Sequence, residues 1–591
     1  MRHLFTLNHY FVKYKWHLLG GITFVLISVL FSVIPPQYVR ESFNAVEDAI
    51  KANANNGTTG VSKDTQRLIL MYGLIIIGAA LLKGVFMFFM RQTLIVMSRH
   101  IEYDLKNQVY EHYQKLSQRF YRANSTGDLM NRISEDVSRV RMYLGPALMY
   151  GINTSILVIV VIQRMVAINP TLTLYTLVPL PILSYLIYRV SHLINRRSER
   201  VQAQLSTIST FVQETLSGIR VIKANAKEEY LADKYDEQAD IYFEKNERLY
   251  RINALFGPLM LLLVGLSTII IIYIGGMEAI RGEITIGNIA EFIMYVNMLT
   301  WPVASIGWVT SIVQRAEASM ERLNDFLNED PDIVNPSQEP LTVNGTIRWD
   351  NVSFTYSHTG INALKDVSFE IEAGKTLAII GETGSGKSTV AALMTRLFDP
   401  TSGQIMVDGH TLRTLNLDAF REQISIVPQD VFLFSDTIAN NIAFGVHDAT
   451  PETIEQAAEL AGLHQNVMDF PKGYETRLGE RGVTLSGGQK QRTALARALI
   501  KNPKILILDD CLSAVDTETE ERILRSLRQY SSSITTIIIS HRVSSVKHAD
   551  NIIVLKNGQV TERGNHDSLM KKQGYYADIY EKQLKEEMKV N

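Results

Sequence analysis

The first half of this sequence holds about six apolar stretches, each close to the roughly 20 residues that a helix needs to cross a bilayer. They lie at 18–39, 68–90, 144–162, 171–190, 254–276 and 286–309. The third and fourth are separated only by a turn around Asn169 and Pro170, the fifth and sixth only by MEAIRGEIT. Two long polar stretches, 91–143 and 191–251, separate the others. Both are rich in Lys and Arg and show helical apolar spacing without strand signals. The bias of Lys and Arg toward the cytoplasmic side places them inside, with the N-terminus. Nothing between them and the spans breaks a helix, so they are expected to be cytoplasmic extensions of the membrane helices.

The remaining composition narrows the partners. The chain has 591 residues and a formal net charge of -2, which argues against a nucleic-acid binder held by bulk electrostatics. Cys511 is the only cysteine, so no intramolecular disulfide can form. The start, MRHLFTLNHYFVKYKW, is basic and aromatic, and reads as an interfacial helix leading into a span rather than a cleavable leader. Asn56-Gly57-Thr58 matches a glycosylation sequon, a triplet that also arises by chance. Lys83 and Glu291 fall inside spans, where a charge is costly unless it faces water or a partner. Each lines a polar cavity or reaches an interface.

NEDPDIVNPSQEPLTVNG, residues 328–345, has no period and reads as a linker. Beyond it, TIRWDNVSFTY and ALKDVSFEIEAG alternate as strands. TLAIIGETGSGKSTVAALMTRLF is a buried strand, a glycine-rich loop and a helix. The loop runs Gly381, Glu382, Thr383, Gly384, Ser385, Gly386, Lys387, Ser388, with Thr389 next, and fits the P-loop pattern in its required context. Glycines let backbone N–H groups wrap phosphates, and the helix N-terminus favours the anion. Lys387 neutralises the β- and γ-phosphates of ATP, and the Ser388 hydroxyl can ligate Mg2+. The strand ILIL at 505–508 is expected beside the P-loop strand, with Asp509 at its C-terminal end holding Mg2+ through water.

Between these motifs stands LSGGQ, Leu485–Gln489, inside GERGVTLSGGQKQRTALARAL. The set, in this order and spacing and over nearly the whole length, resembles the ABC transporters. The chain is similar to an exporter-type half-transporter of that family. The fold expected is therefore a membrane α-helical domain of six transmembrane helices with long cytoplasmic extensions, plus an α/β P-loop NTPase nucleotide-binding domain. The limits are 1–325 for the first, 326–345 for the linker and 346–591 for the second. The resemblance implies that Tyr356 stacks on adenine, Gln429 in VPQD reaches the metal, and His541 in IIISHR contacts the γ-phosphate. It also implies a D-loop at LSAVD, 512–516, and a head-to-tail dimer of two such domains. ATP then lies between the P-loop of one chain and Ser486, Gly487, Gly488 and Gln489 of the other.

Where Asp510 stands, the family's hydrolytic sites carry glutamate, which orients the attacking water. A general base must come within roughly 3 Å of its proton. Aspartate is one methylene shorter, so ATP is expected to bind at this chain's own P-loop and to be hydrolysed slowly. The expected assembly is a heterodimer with a second half-transporter that carries the glutamate, as in the degenerate-site bacterial exporters. A homodimer with a slow aspartate is the alternative. Short helices around 120–128 and 211–218 are the candidates for coupling the ATPase to the spans. The cargo class left open includes drugs or lipids, hydrophobic and amphipathic, with Trp301 and Trp308 in the spans. An importer on the exporter frame and a regulatory subunit of little turnover are the competing functions. The location expected is the cell membrane, multi-pass, with the ATPase domain cytoplasmic.

Overall fold

The computed structural model describes residues 2–56, 62–479, 482, 485–530 and 534–590, so the Asn56–Thr58 sequon lies outside them in part. The chain divides into two compact units. One comprises Met1–Gln114 and Gly127–Glu329; the other comprises Lys115–Thr126 and Asp330–Asn591.

The first unit is helical throughout its long segments. Among the described residues, Lys15–Asn53, Lys63–Lys115, Thr126–Ile168, Glu228–Ile280 and Ile286–Leu327 are long and apolar enough to cross a membrane. The remaining expected span, 171–190, is occupied by helices Pro170–Leu177 and Pro179–Ser217. Pro170 begins its helix at the first turn, where a missing N–H costs nothing, and the Asn169 side chain accepts from the Leu172 N–H as its cap. The polar stretches do continue the spans as helix. Lys63–Lys115 is unbroken for 53 residues, about 80 Å at 1.5 Å per residue.

One expectation is corrected here. The stretch 211–218 is not a separate short helix: it closes Pro179–Ser217, whose C-terminal Gly218 N–H bonds back to Glu214. The separate short helix is Ile219–Ala224, and the chain then turns at Ala226, a non-glycine residue with φ of 48°. Around 120–128 the structure has two short helices, Gln118–Ala123 and Thr126–Asn131.

Of the two charges inside spans, Lys83 is exposed on its helix and Glu291 is 1% exposed. Glu291 accepts from Tyr295 Oη at 2.8 Å and from Arg40 Nη1 at 3.2 Å. This pair ties helix Ile34–Asn56 to helix Ile286–Leu327, and satisfies a carboxylate whose isolation would be costly. Arg40 carries no sequence mark that would single it out as the partner.

The second unit contains two sheets. The strands are β1 (Ile347–Thr355), β2 (Asn362–Ile371), β3 (Thr376–Gly381), β4 (Ser402–Val407), β5 (His410–Thr411), β6 (Ile424–Val427), β7 (Ile505–Asp509), β8 (Thr535–Ser540), β9 (Asn551–Lys556) and β10 (Gln559–Gly564). An antiparallel sheet runs β2-β1-β4-β5, and a mostly parallel one runs β10-β9-β3-β8-β7-β6. Every residue of β7 is buried, without alternation, as expected of a parallel strand covered on both faces. Trp349 stacks on Phe369 at 4.9 Å in the core that faces the two sheets together.

The strand order corrects another expectation. β7 is not the neighbour of β3; β8 lies between them and pairs in parallel with both. The motifs name the strands that carry chemistry but not their order. The crossing of β8 into the middle has a use: its C-terminal end delivers His541 between the P-loop and Asp509.

Candidate nucleotide site

The loop after β3 is shaped by what its glycines permit. Gly384 and Gly386 have φ of 80° and 103°, a region that favours glycine. A Cβ on Gly386 would lie 2.4 Å from the Ala363 carbonyl oxygen, and no side chain can give way there. The loop is also buttressed from behind. Asn557 and Gly558, with φ of 50° and 79°, form the tight turn between β9 and β10. The Gly558 N–H donates to the Ser385 carbonyl, and the Gly558 carbonyl accepts from the Lys365 N–H. Asn-Gly between two alternating strands is a strong hairpin signal, so the sequence itself carries a mark of this support.

Inside the loop, Lys387 Nζ donates to the carbonyls of Gly381 at 2.9 Å and Glu382 at 2.8 Å. The Ser388 hydroxyl donates to Asp509 Oδ1 at 3.3 Å. Tyr356 Oη and Thr389 Oγ1 are 3.1 Å apart. The Ser385 hydroxyl is buried behind the loop and has no hydrogen-bond partner among the described residues. Burial pulls the Lys387 ammonium below the ordinary lysine range, against the pull of Asp510 and Asp509. Burial likewise pushes the Asp509 carboxyl up, against its bond from Ser388.

A cavity of about 680 Å3 gathers these groups. Tyr356, Thr383, Gly384, Gly386, Lys387, Ser388, Thr389, Gln429, Asp509, Asp510 and His541 all line it. Gly381 and Ser385 stand behind the loop as buried supports, and Glu382 is exposed. Ser486, Gly487, Gly488 and Gln489 are not among the lining residues. They begin the helix Gly487–Leu499, where Ser486 and Gln489 cap one another's backbone N–H groups. Gly488 has a reason within the chain: a Cβ there would lie 2.9 Å from the Ala514 carbonyl. Gln491 holds the following turn by accepting from the Ala514 N–H and donating to Ser513.

A buried, reluctant ammonium lining a phosphate-binding loop makes nucleotide binding pH-dependent. A triphosphate favours the charged lysine and raises its pKa on binding. Affinity is therefore full below the pKa of the free site and falls as pH rises through that lowered value. Titrating the chain with ATP from neutral to alkaline pH should show the loss at a lower pH than an ordinary lysine would give.

A P-loop cradle on a parallel sheet, in a chain whose other unit is built of bilayer-length helices, defines a membrane protein driven by a nucleoside triphosphatase. Residues 18–303 match the ABC transporter transmembrane region and residues 364–513 the ABC transporter family. The chain is 36% identical over 582 residues to the multidrug resistance-like ATP-binding protein MdlA of Escherichia coli (strain K12), covering 98% of this chain and 96% of that protein. It is 37% identical over 519 residues to the ABC transporter ATP-binding protein YknU of Bacillus subtilis (strain 168), covering 87% and 88%. Its fold matches a bacterial Atm1-family ABC exporter with ATP bound, with a TM-score of 0.80 and 27% identity over 96% of this chain and 98% of that one. The chain belongs to the ABC transporter family, with the exporter-type fold, and its second unit is an ATPase coupled to transport.

Proposed function

We propose that this chain is one half of a heterodimeric exporter of hydrophobic or amphipathic compounds, and that its own ATP site turns over slowly. The membrane domain is 1–325, the linker 326–345 and the ATP-binding domain 346–591, with the ATPase on the cytoplasmic side of the cell membrane. Efflux is supported by the exporter fold and by relatives named for multidrug resistance.

The observation that carries the slow site is Asp510. It lines the same cavity as Lys387, Ser388, Asp509 and His541, and by the family resemblance it stands where the hydrolytic sites carry the catalytic glutamate. Its backbone is held on both sides: its N–H donates to the Ile539 carbonyl at 2.8 Å, and its carbonyl accepts from Ser513 Oγ at 2.9 Å. An inward shift of the main chain to make up for a missing methylene would strain or break both bonds. Lys387 and the loop N–H groups bind the phosphates, Tyr356 carries the base, and His541 stands where the γ-phosphate ends. The hydroxyl of Ser388, the Asp509 carboxylate and the Gln429 amide oxygen form an oxygen donor set that suits a hard cation. Mg2+ bound there would supply charge neutralisation for the phosphates.

The family resemblance implies that a partner's signature closes this cavity, and that this chain's intact signature, Ser486–Gln489, serves the partner's site; the absence of these residues from the cavity lining is compatible with that arrangement. Two copies of this chain would pair two slow sites; a partner with glutamate provides the fast one. The test is ATPase activity of the purified chain alone and with a co-expressed half-transporter bearing that glutamate. Slow turnover alone and a rise of about 100-fold in the mixed assembly are expected. Full-rate turnover by the chain alone contradicts the proposal.

A further inference from the structure

The helix Gln118–Ala123 comes from between two membrane-spanning segments, yet it belongs to the compact ATP-binding unit. Its anchoring is specific. Ser117 Oγ donates to Asp332 at 2.8 Å, and Arg119 forms an ion pair with the same carboxylate. Arg122 does something different. Its guanidinium carbon lies 5.1 Å from the centroid of the Tyr356 ring and 5.1 Å from that of Phe398. Among the described residues no ion pair to a carboxylate involves Arg122.

Tyr356 is thereby held on several sides. Phe354 meets it edge-on at 4.8 Å and Phe398 at 5.6 Å. Thr389, in the first turn after the P-loop, meets its hydroxyl. Tyr356 also forms part of two cavities: the one containing Lys387, and a smaller one of about 300 Å3 lined by Ser117, Arg119 and Phe398. The ring is thus a partition, with the nucleotide cavity on one hand and the 115–126 segment on the other. A guanidinium over a ring is attracted by the ring quadrupole, and its planar shape makes the contact orientationally strict.

We infer that Arg122 is a positioning residue for the nucleotide base: it fixes the Tyr356 ring at the angle that accepts adenine. This rests on Tyr356 being the base platform, as proposed above. A residue of the segment between the spans then contributes to base recognition, while the phosphates are bound without it. Nucleotide affinity and the seating of this segment are thereby linked through one aromatic ring.

The full-length chain in lipid nanodiscs provides the test, with ATP and tripolyphosphate as the probes. Arg122→Ala should weaken ATP about two- to fivefold, the range of an exposed cation–π contact, and leave tripolyphosphate unchanged. Arg122→Lys should be intermediate, keeping charge without the plane. Tyr356→Ala should cost ATP affinity about tenfold or more by loss of stacking, and adding Arg122→Ala to it should cost nothing further. Unchanged or tighter ATP binding in Arg122→Ala, with Tyr356→Ala weak, overturns the inference alone. Equal losses for ATP and tripolyphosphate also overturn it, since they mark a general loosening of the domain. An unaffected Tyr356→Ala variant overturns both the inference and the reading of Tyr356 beneath it.

Discussion

Asp510→Glu should raise ATP hydrolysis at this chain's P-loop by about 100-fold, the scale of a misplacement of about 1 Å in a reacting group. The gain should appear in kcat, with the KM for ATP little changed, because the groups that hold the nucleotide are not altered. The backbone at 510 makes the prediction sharp. It is fixed to β8 by its N–H and to its own turn by its carbonyl, so side-chain length alone sets the position of the carboxylate. One cost opposes the gain. Asp510 has φ of 46°, a left-handed conformation that aspartate adopts more readily than glutamate. The variant should therefore be slightly less stable while being much faster. Steady-state phosphate release, with thermal unfolding beside it, checks both halves.

Lys387→Ala should abolish productive nucleotide binding. A hydrogen bond to a charged group contributes about 1.5–3 kcal/mol, so losing two phosphate contacts costs about two to four powers of ten in affinity. The fold should survive this change. Without nucleotide the ammonium is buried beside backbone carbonyls, and its depressed pKa records that the charge is poorly accommodated there. Removing it should leave the unfolding temperature of the empty chain nearly unchanged, while the rise in that temperature on adding ATP disappears. Lys387→Arg should restore only part of the binding, because the cradle fits a compact ammonium and not a planar fork. Equilibrium titration with a fluorescent ATP analogue provides the check.

How far the sequence led can be followed residue by residue. The P-loop was fully legible, since its glycines, lysine and serine are dictated by the anion they wrap. The cavity holds Lys387, Ser388, Asp509, Gln429 and His541 together, although they are spread over more than 150 positions of sequence. The bilayer-length helices were legible for an equally simple reason: without water, only helices of that length satisfy their backbone. Strand order was not legible. Nothing in ILILDD or in IIISHR says that β8 inserts between β3 and β7; that follows from the crossovers of a parallel sheet. The short helix at Ile219–Ala224 was misplaced because Gly218 reads equally well as the end of one helix or the middle of a turn. Arg40 and Arg122 were invisible for a further reason. Each acts on a residue hundreds of positions away, and arginine in a helix carries no local mark of its partner.

The fate of a single ATP separates a slow site from a fast one most directly. The purified chain, alone and with Mg2+, can be mixed with one equivalent of radiolabelled ATP and quenched over time, beside Asp510→Glu. The wild-type chain should hold its nucleotide largely as ATP, so that release of intact ATP outruns cleavage, while the variant converts it to ADP. Equal and rapid formation of ADP by both proteins would contradict the slow site.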